Sequence, residues 1–296
     1  MARFSLNGAT AVVTGGSRGI GPYIATALLE RGARVALVAR SHDELEATAR
    51  ELKQTGRDVL AITADVTSAE DRHMIVEAVE RELGTLDVLV NNAGGDPQRP
   101  FHNLTEHDIE AVVDLNLTSA LILSRLALPG MLARERGHIV SISSMAGRVS
   151  FPYTEAYAAA KDGLIGFTRV LRGDYRRRGV SASALILGPV REAGVGARTA
   201  EEVGIKLPAF IVSPTAVGAA TVRAIIKDKA ELVLLPGPGR MMRAIMDRFP
   251  GIGPALNRVT GADKTMLTVA EYRQRERRLT DDERNVRQAS HQVIDP

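Results

Sequence analysis

The chain contains no cysteine. That excludes disulfides, thiolate nucleophiles and cysteine-ligated zinc. It carries little excess charge: 38 Lys and Arg stand against 35 Asp and Glu, a formal net charge of +3. No basic stripe interleaved with aromatics runs along it, so nucleic acid is not an expected partner. Long apolar runs are missing as well. The most apolar stretch, Ala120 to Leu132, is broken by Arg125, Pro129 and Gly130, and falls short of the ~20 residues that span a bilayer. The N-terminus, MARFSLNGATAVVTGG, has one Arg and no sustained apolar segment. It does not read as a signal peptide, and the expected location is the cytoplasm. His102 and His107 have no carboxylate cluster beside them, so no metal site is expected. There is no internal repeat and no low-complexity tract.

What is present is an ordinary globular composition, 45% hydrophobic and 25% charged over 296 residues. One α/β domain with a large core uses nearly all of that length. Apolar β-rich runs at 10–13, 34–38, 59–63, 86–90, 138–143, 180–187 and 232–235 alternate with amphipathic segments at 23–31, 42–55, 69–83, 105–132, 152–177 and 214–227. The segment at 105–132 reads as one long helix or two. Strands apolar on both faces and separated by helices predict a doubly wound, Rossmann-type parallel sheet of about seven strands with helices on both faces. The domain is expected over 1–260. Within it, 191–213 reads as a lid over the site or as a plain surface loop. Residues 261–296 form a charged tail, expected to be partly helical or disordered.

Residues Thr14 to Gly21 read TGGSRGIG, directly after the first strand and before a helix. Gly15 permits a sharp turn, Gly19 a close backbone approach to a phosphate, and Gly21 tight helix–strand packing. Ser17, Arg18 and Ile20 lie within this loop. The spacing is G-x-x-x-G-x-G and not the usual G-x-G-x-x-G, so the strand–turn–helix context carries the reading. A near copy, GIGPAL at Gly251 to Leu256, follows no strand and reads as a loop or a helix entry. The second strand ends Val38-Ala39-Arg40, where NAD sites usually place an acid. Arg40 and Arg18 suit a 2′-phosphate, so NADP(H) is expected ahead of NAD(H). The plain alternative is two solvated arginines. Asp65, in the run Ala64-Asp65-Val66, can bond an adenine amine or cap a helix. The run Asn91-Asn92-Ala93-Gly94 leaves room for cofactor or is an ordinary turn.

Tyr157 and Lys161 stand four apart in YAAAK, on one face of a predicted helix. A lysine ammonium about 4 Å from a phenol, at an effective dielectric near 20, favours the phenolate by roughly 4 kcal/mol. That corresponds to about three pKa units, enough for proton exchange near neutrality. Chance placement on a surface helix is the alternative. Ser143 and Ser144 end a strand, where a hydroxyl can bond a substrate oxygen or cap a helix. Asn116 is a polar residue in an apolar helix. It either anchors a water leading to Lys161 or is a satisfied core amide.

Together, TGGSRGIG, Asp65, NNAG, Asn116, Ser144, YAAAK and a late strand ending in glycine resemble the short-chain dehydrogenase/reductase family, over about Asn7 to Leu235. The resemblance implies one Rossmann-type domain, a nicotinamide cofactor, and interconversion of a carbonyl and a secondary alcohol. It makes Tyr157 the acid/base. Lys161 lowers its pKa and holds the ribose, Ser144 orients the carbonyl, and Asn116 anchors a relay water. It also implies a homodimer or homotetramer. The chain departs from the family at Leu187-Gly188-Pro189-Val190, where Pro-Gly is usual, and Glu192 stands near an expected Thr. Gly188 and the Val190 backbone are expected to meet the carboxamide. Apolar lid residues point to a hydrophobic ketone or alcohol. A catalytically silent NADP(H)-binding regulator is the alternative function. An apolar stripe at about 240–249 offers core or subunit contact, or a membrane surface.

Overall fold

A computed structural model of the chain describes residues 4–54, 56–191, 193, 202–205, 211–235, 248–249 and 251–292. Seven strands form one sheet: β1 (Thr10–Thr14), β2 (Arg34–Ala39), β3 (Val59–Thr63), β4 (Leu86–Asn91), β5 (Gly137–Ser144), β6 (Val180–Leu187) and β7 (Glu231–Leu234). Their order is β3-β2-β1-β4-β5-β6-β7, and every pairing is parallel. The helices between them are α1 (Gly21–Leu29), α2 (His42–Lys53), α3 (Ala69–Glu82), α4 (Glu106–Val113), α5 (Ser119–Ala133), α6 (Glu155–Tyr175) and α7 (Pro214–Ile226). Two further helices follow β7: α8 (Ile252–Thr260) and α9 (Ala262–Gln292).

The burial pattern explains the parallel sheet. Every residue of β1, β4 and β6 is buried, as a strand covered by helices on both faces requires. Edge strands β3 and β7 are only partly buried. One core lies on the face holding Leu28, Leu37 and Leu185, the other on the face holding Ile75, Leu89 and Met131. Truncating one of these buried leucines to alanine removes contacts worth about 2–5 kcal/mol.

The 105–132 segment is a single helical run with a π-helical turn at Asp114–Thr118 joining α4 to α5. By length and composition this run passes for a membrane span, contrary to the reading of the sequence. Its apolar side, with Ala120, Leu123, Ala127 and Met131, is buried against the sheet. The near copy GIGPAL opens α8, with Gly251 at the N-cap. The charged tail is helical as far as Gln292.

The strand order reverses between β1 and β4, and the crevice above that point is where such sheets bind ligands. The opposite, amino end of the sheet is closed by a polar network. Arg172 and Arg176 donate to the Asp228 carboxylate at 2.5 and 2.6 Å, and Ser181 donates to it at 2.5 Å. His138 meets Ser183 at 2.8 Å, and burial pushes its imidazole down to about 4.

Candidate active site

The glycine loop crosses the carboxyl end of β1. Gly21 packs so closely on the Gly15 carbonyl that a Cβ there would collide with it. Ile20 is the N-cap of α1 and makes no side-chain cap, and the first turn holds no acid. The orphan N–H groups of that turn are therefore open to an anion. Thr48 of α2 donates to the Ser17 carbonyl at 2.8 Å and fixes the loop from the side. Across the crevice, Asn92 donates to the Thr14 and Gly15 carbonyls at 2.8 and 3.2 Å. The peptide N–H groups of Asn92 and Ala93 both donate to the Thr14 hydroxyl. The Asn92 amide thus ties β4 to β1 and leaves its own Oδ1 buried without a partner. Open helix N–H groups facing an orphaned amide oxygen fit a dinucleotide lying across this crevice.

The chemical end gathers around β5 and α6. Ser144 ends β5, accepts from the Ala146 N–H at 3.2 Å and lies near enough to Tyr157 to draw its phenol downward. Ser143 points elsewhere and donates to the Lys161 carbonyl at 2.8 Å, pinning α6 to the strand. Of the two serines, only Ser144 meets the tyrosine. Lys161 is buried, donates to the Ile142 carbonyl at 3.1 Å, and lies 5.5 Å from the Tyr157 ring centroid.

Here the structure corrects the reading of the sequence. Burial holds the Tyr157 phenol above the ordinary tyrosine range, Ser144 draws it down and the Asp96 charge pushes it up. Burial also lowers the Lys161 ammonium to about 8. Desolvation of the phenol is the largest of these effects and decides the direction.

Asn116 differs too. It sits in the π-helical turn with both amide hydrogens used: Nδ2 donates to Gly95 and Val112 carbonyls at 2.8 Å each, and Oδ1 accepts from the Gly95 N–H at 3.1 Å. It clamps the loop after β4, and one lone pair of Oδ1 stays open. Gly94, next to the clamp, has no room for a side chain: a Cβ would sit 2.7 Å from Asn116 Oδ1 and 3.0 Å from Lys161 Nζ.

The family model described as short chain dehydrogenase matches residues 9–203. The chain belongs to the short-chain dehydrogenase/reductase family. Among its relatives, the ketoacyl reductase HetN of Nostoc is 35% identical over 79% of this chain and 81% of its own length. The D-beta-hydroxybutyrate dehydrogenase of Cupriavidus necator is 34% identical over 67% of this chain and 78% of its own. A solved metagenomic short-chain oxidoreductase in complex with NADP is 31% identical, with a TM-score of 0.68, over 79% of this chain and all of that one (100%).

In this short-chain dehydrogenase/reductase the remaining expected residues fall as follows. Arg18 and Arg40 are both exposed, 3.7 Å from Glu44 and 3.6 Å from Asp65 respectively. Asp65 accepts from the Thr67 N–H and hydroxyl, while Ser68 caps α3, so Asp65 closes a turn and does not cap. Val66 packs its side chain in the core and gives its carbonyl to Arg72. After β6, the Gly188 N–H bonds the Leu234 carbonyl. Val190 bridges Val212 through the Pro189 carbonyl and the Arg191 N–H, which turns the peptide groups of Val190 itself to the opposite edge. Glu192, most of the expected lid and residues 240–247 lie outside the described residues.

Asp96 was not among the residues singled out from the sequence. Burial raises its carboxyl to about 7, the Gln98 N–H lowers it, and Glu155 raises it further. Its signal in the sequence was faint: one acid directly after Gly94-Gly95, in a loop rich in proline.

Proposed function

We propose that the chain is an NADP(H)-dependent oxidoreductase that interconverts a carbonyl and a secondary alcohol, with Tyr157 as the proton donor and acceptor. The single observation that carries this reading is the gathering of Ser144, Tyr157 and buried Lys161 at the carboxyl end of β5, with the Lys161 amine 5.5 Å from the Tyr157 ring centroid. The bound nicotinamide supplies or accepts the hydride. Ser144 then holds the substrate oxygen, and Tyr157 gives that oxygen its proton as charge develops on it. A phenol protonated at neutral pH can give its proton in the reducing direction. Lys161 holds its amine over the Tyr157 ring, where it would steady the phenol and would bond the ribose of a bound cofactor. Asn116 and Gly94 keep the loop after β4 clear of both.

For the cofactor, Ala39 ends β2 without an acid, and the ion pairs of Arg18 and Arg40 are exposed. Exposed pairs contribute little, so both guanidiniums are free to turn toward a 2′-phosphate. The names of the ketoacyl reductase and hydroxybutyrate dehydrogenase relatives point to the same kind of carbonyl–alcohol pair. The test follows NADPH oxidation across a panel of ketones. Turnover that Tyr157→Phe abolishes while NADPH binding persists supports the reading. A Phe variant with near-full activity overturns it.

A further inference from the structure

The residue that the oxidoreductase reading leaves unused is Asp96. Its placement is tightly built. The preceding Gly95 is held on both its peptide groups by Asn116. Its own carboxylate accepts from the Gln98 N–H at 3.1 Å. Gln98 is buried and holds a left-handed backbone, φ +47°. For a non-glycine residue that conformation is costly and persists where the surrounding structure imposes it. Arg99, also buried, is locked to Asp108 at 2.7 Å. A loop pinned at three points in this way aims one carboxylate.

The loop lies beside the reaction centre. Gly94 abuts Lys161 Nζ, and two residues of chain reach about 7 Å. Asp96 interacts electrostatically with Tyr157 and with Glu155 at the start of α6. No ion pair to Asp96 forms among the described residues. Beside it opens a pocket of about 360 Å³ lined by Asp96, Pro97, Arg99, Arg273, Glu276 and Arg277. The last three come from α9, which lies beyond the residues matched by the family model. An added helix therefore forms one wall of an open, charged groove at Asp96.

Resting on the oxidoreductase reading above, we infer that Asp96 is a specificity-determining residue that accepts a hydrogen bond from a hydroxyl next to the reacting carbon, so that the substrate class is α-hydroxy ketones and the corresponding vicinal diols. A half-buried carboxylate that accepts only the Gln98 N–H has acceptor capacity left for a ligand that brings an O–H donor to it. The charged lining suits such a polar substrate better than the hydrophobic ketone suggested by the lid composition.

The experiment compares matched pairs, hydroxyacetone against acetone and acetoin against butanone, as NADPH-linked substrates of the full chain. The expected result is a kcat/KM preference for the hydroxylated member of about 10-fold or more, because a site built to bond a hydroxyl rejects the analogue lacking it. Asp96→Ala brings that ratio close to one. Asp96→Asn, which keeps an acceptor for the Gln98 N–H and so guards against loss of fold, retains part of it. In the wild type the preference grows as pH rises through about 7, where the carboxyl ionises. In Asp96→Asn it does not. The groups facing Asp96 are Glu155 and Tyr157 on α6, Arg99 on its own loop, and Arg273, Glu276 and Arg277 on α9. Neutralising Glu155 as a control moves the pH dependence to lower pH without abolishing it. A wild type without preference, or a ratio unmoved by Asp96→Ala, overturns the inference. If Tyr157-dependent turnover is found only on other ketones, this inference falls and the oxidoreductase reading stands. If no ketone at all is reduced, both fall.

Discussion

Two aspartates of this chain occupy opposite ends of the same sheet and have opposite electrostatics. Asp228, at the amino end, receives Arg172, Arg176 and Ser181, and these bonds hold its carboxyl down at about 2 against the opposing effect of burial. Asp96, at the carboxyl end, receives one backbone N–H, and burial pushes it up to about 7. One carboxylate is folded into its surroundings and the other is kept short of partners. Perturbed and under-compensated groups gather where ligands bind. Tyr157, raised, and Lys161, lowered, belong with Asp96 at that end. The difference separates residues that hold the fold from residues the fold holds for chemistry.

The sharpest way to break this comparison acts on the chemistry. Tyr157→Phe is expected to lower kcat by about 100- to 10,000-fold, the span of a lost general acid, with NADPH affinity retained in fluorescence titration. At the other end, Asp228→Ala leaves two guanidiniums and the Ser181 hydroxyl without their acceptor. The expected loss is about 1–3 kcal/mol of unfolding free energy by urea titration, toward the lower part of that range because the carboxylate is partly solvated. Activity measured well below the unfolding transition should survive it. Smaller still, Arg40→Ala should weaken NADPH binding about tenfold, or roughly 1.4 kcal/mol, and NADH binding less. Equal weakening of both cofactors would remove Arg40 from the 2′-phosphate reading.

Much of the fold was legible, because hydrophobic periodicity reports burial and burial decides this sheet. The runs at 59–63 and 180–187 coincide with β3 and β6. The site was legible where a motif is local, as in the glycine loop and in Tyr157 with Lys161. It was not legible where the outcome depends on burial and distant partners. The pairing of Ser144 rather than Ser143 with the phenol was suggested only by family spacing. The use of Asn116 as a clamp depends on Gly95, which lies 21 residues away in the chain. The upward shift of Tyr157 comes from desolvation, which a one-dimensional helix spacing does not register. Asp96 escaped because its meaning rests on α6 and α9, brought to it only by folding.

The most direct test of the central claim is thermal unfolding of Asp96→Asn and Asp228→Asn in the ligand-free protein across pH. Asp96 has a raised carboxyl, so its destabilising effect is absent below the ordinary carboxylate range and grows as pH rises toward about 7. Asp228 has a lowered one, so its contribution is present above about 4 and fades as pH falls toward about 2. At pH above about 7 the account predicts that Asp96→Asn raises Tm, by roughly 2–4 °C for each kcal/mol recovered, and that Asp228→Asn lowers it. A fall in Tm for both variants would contradict it.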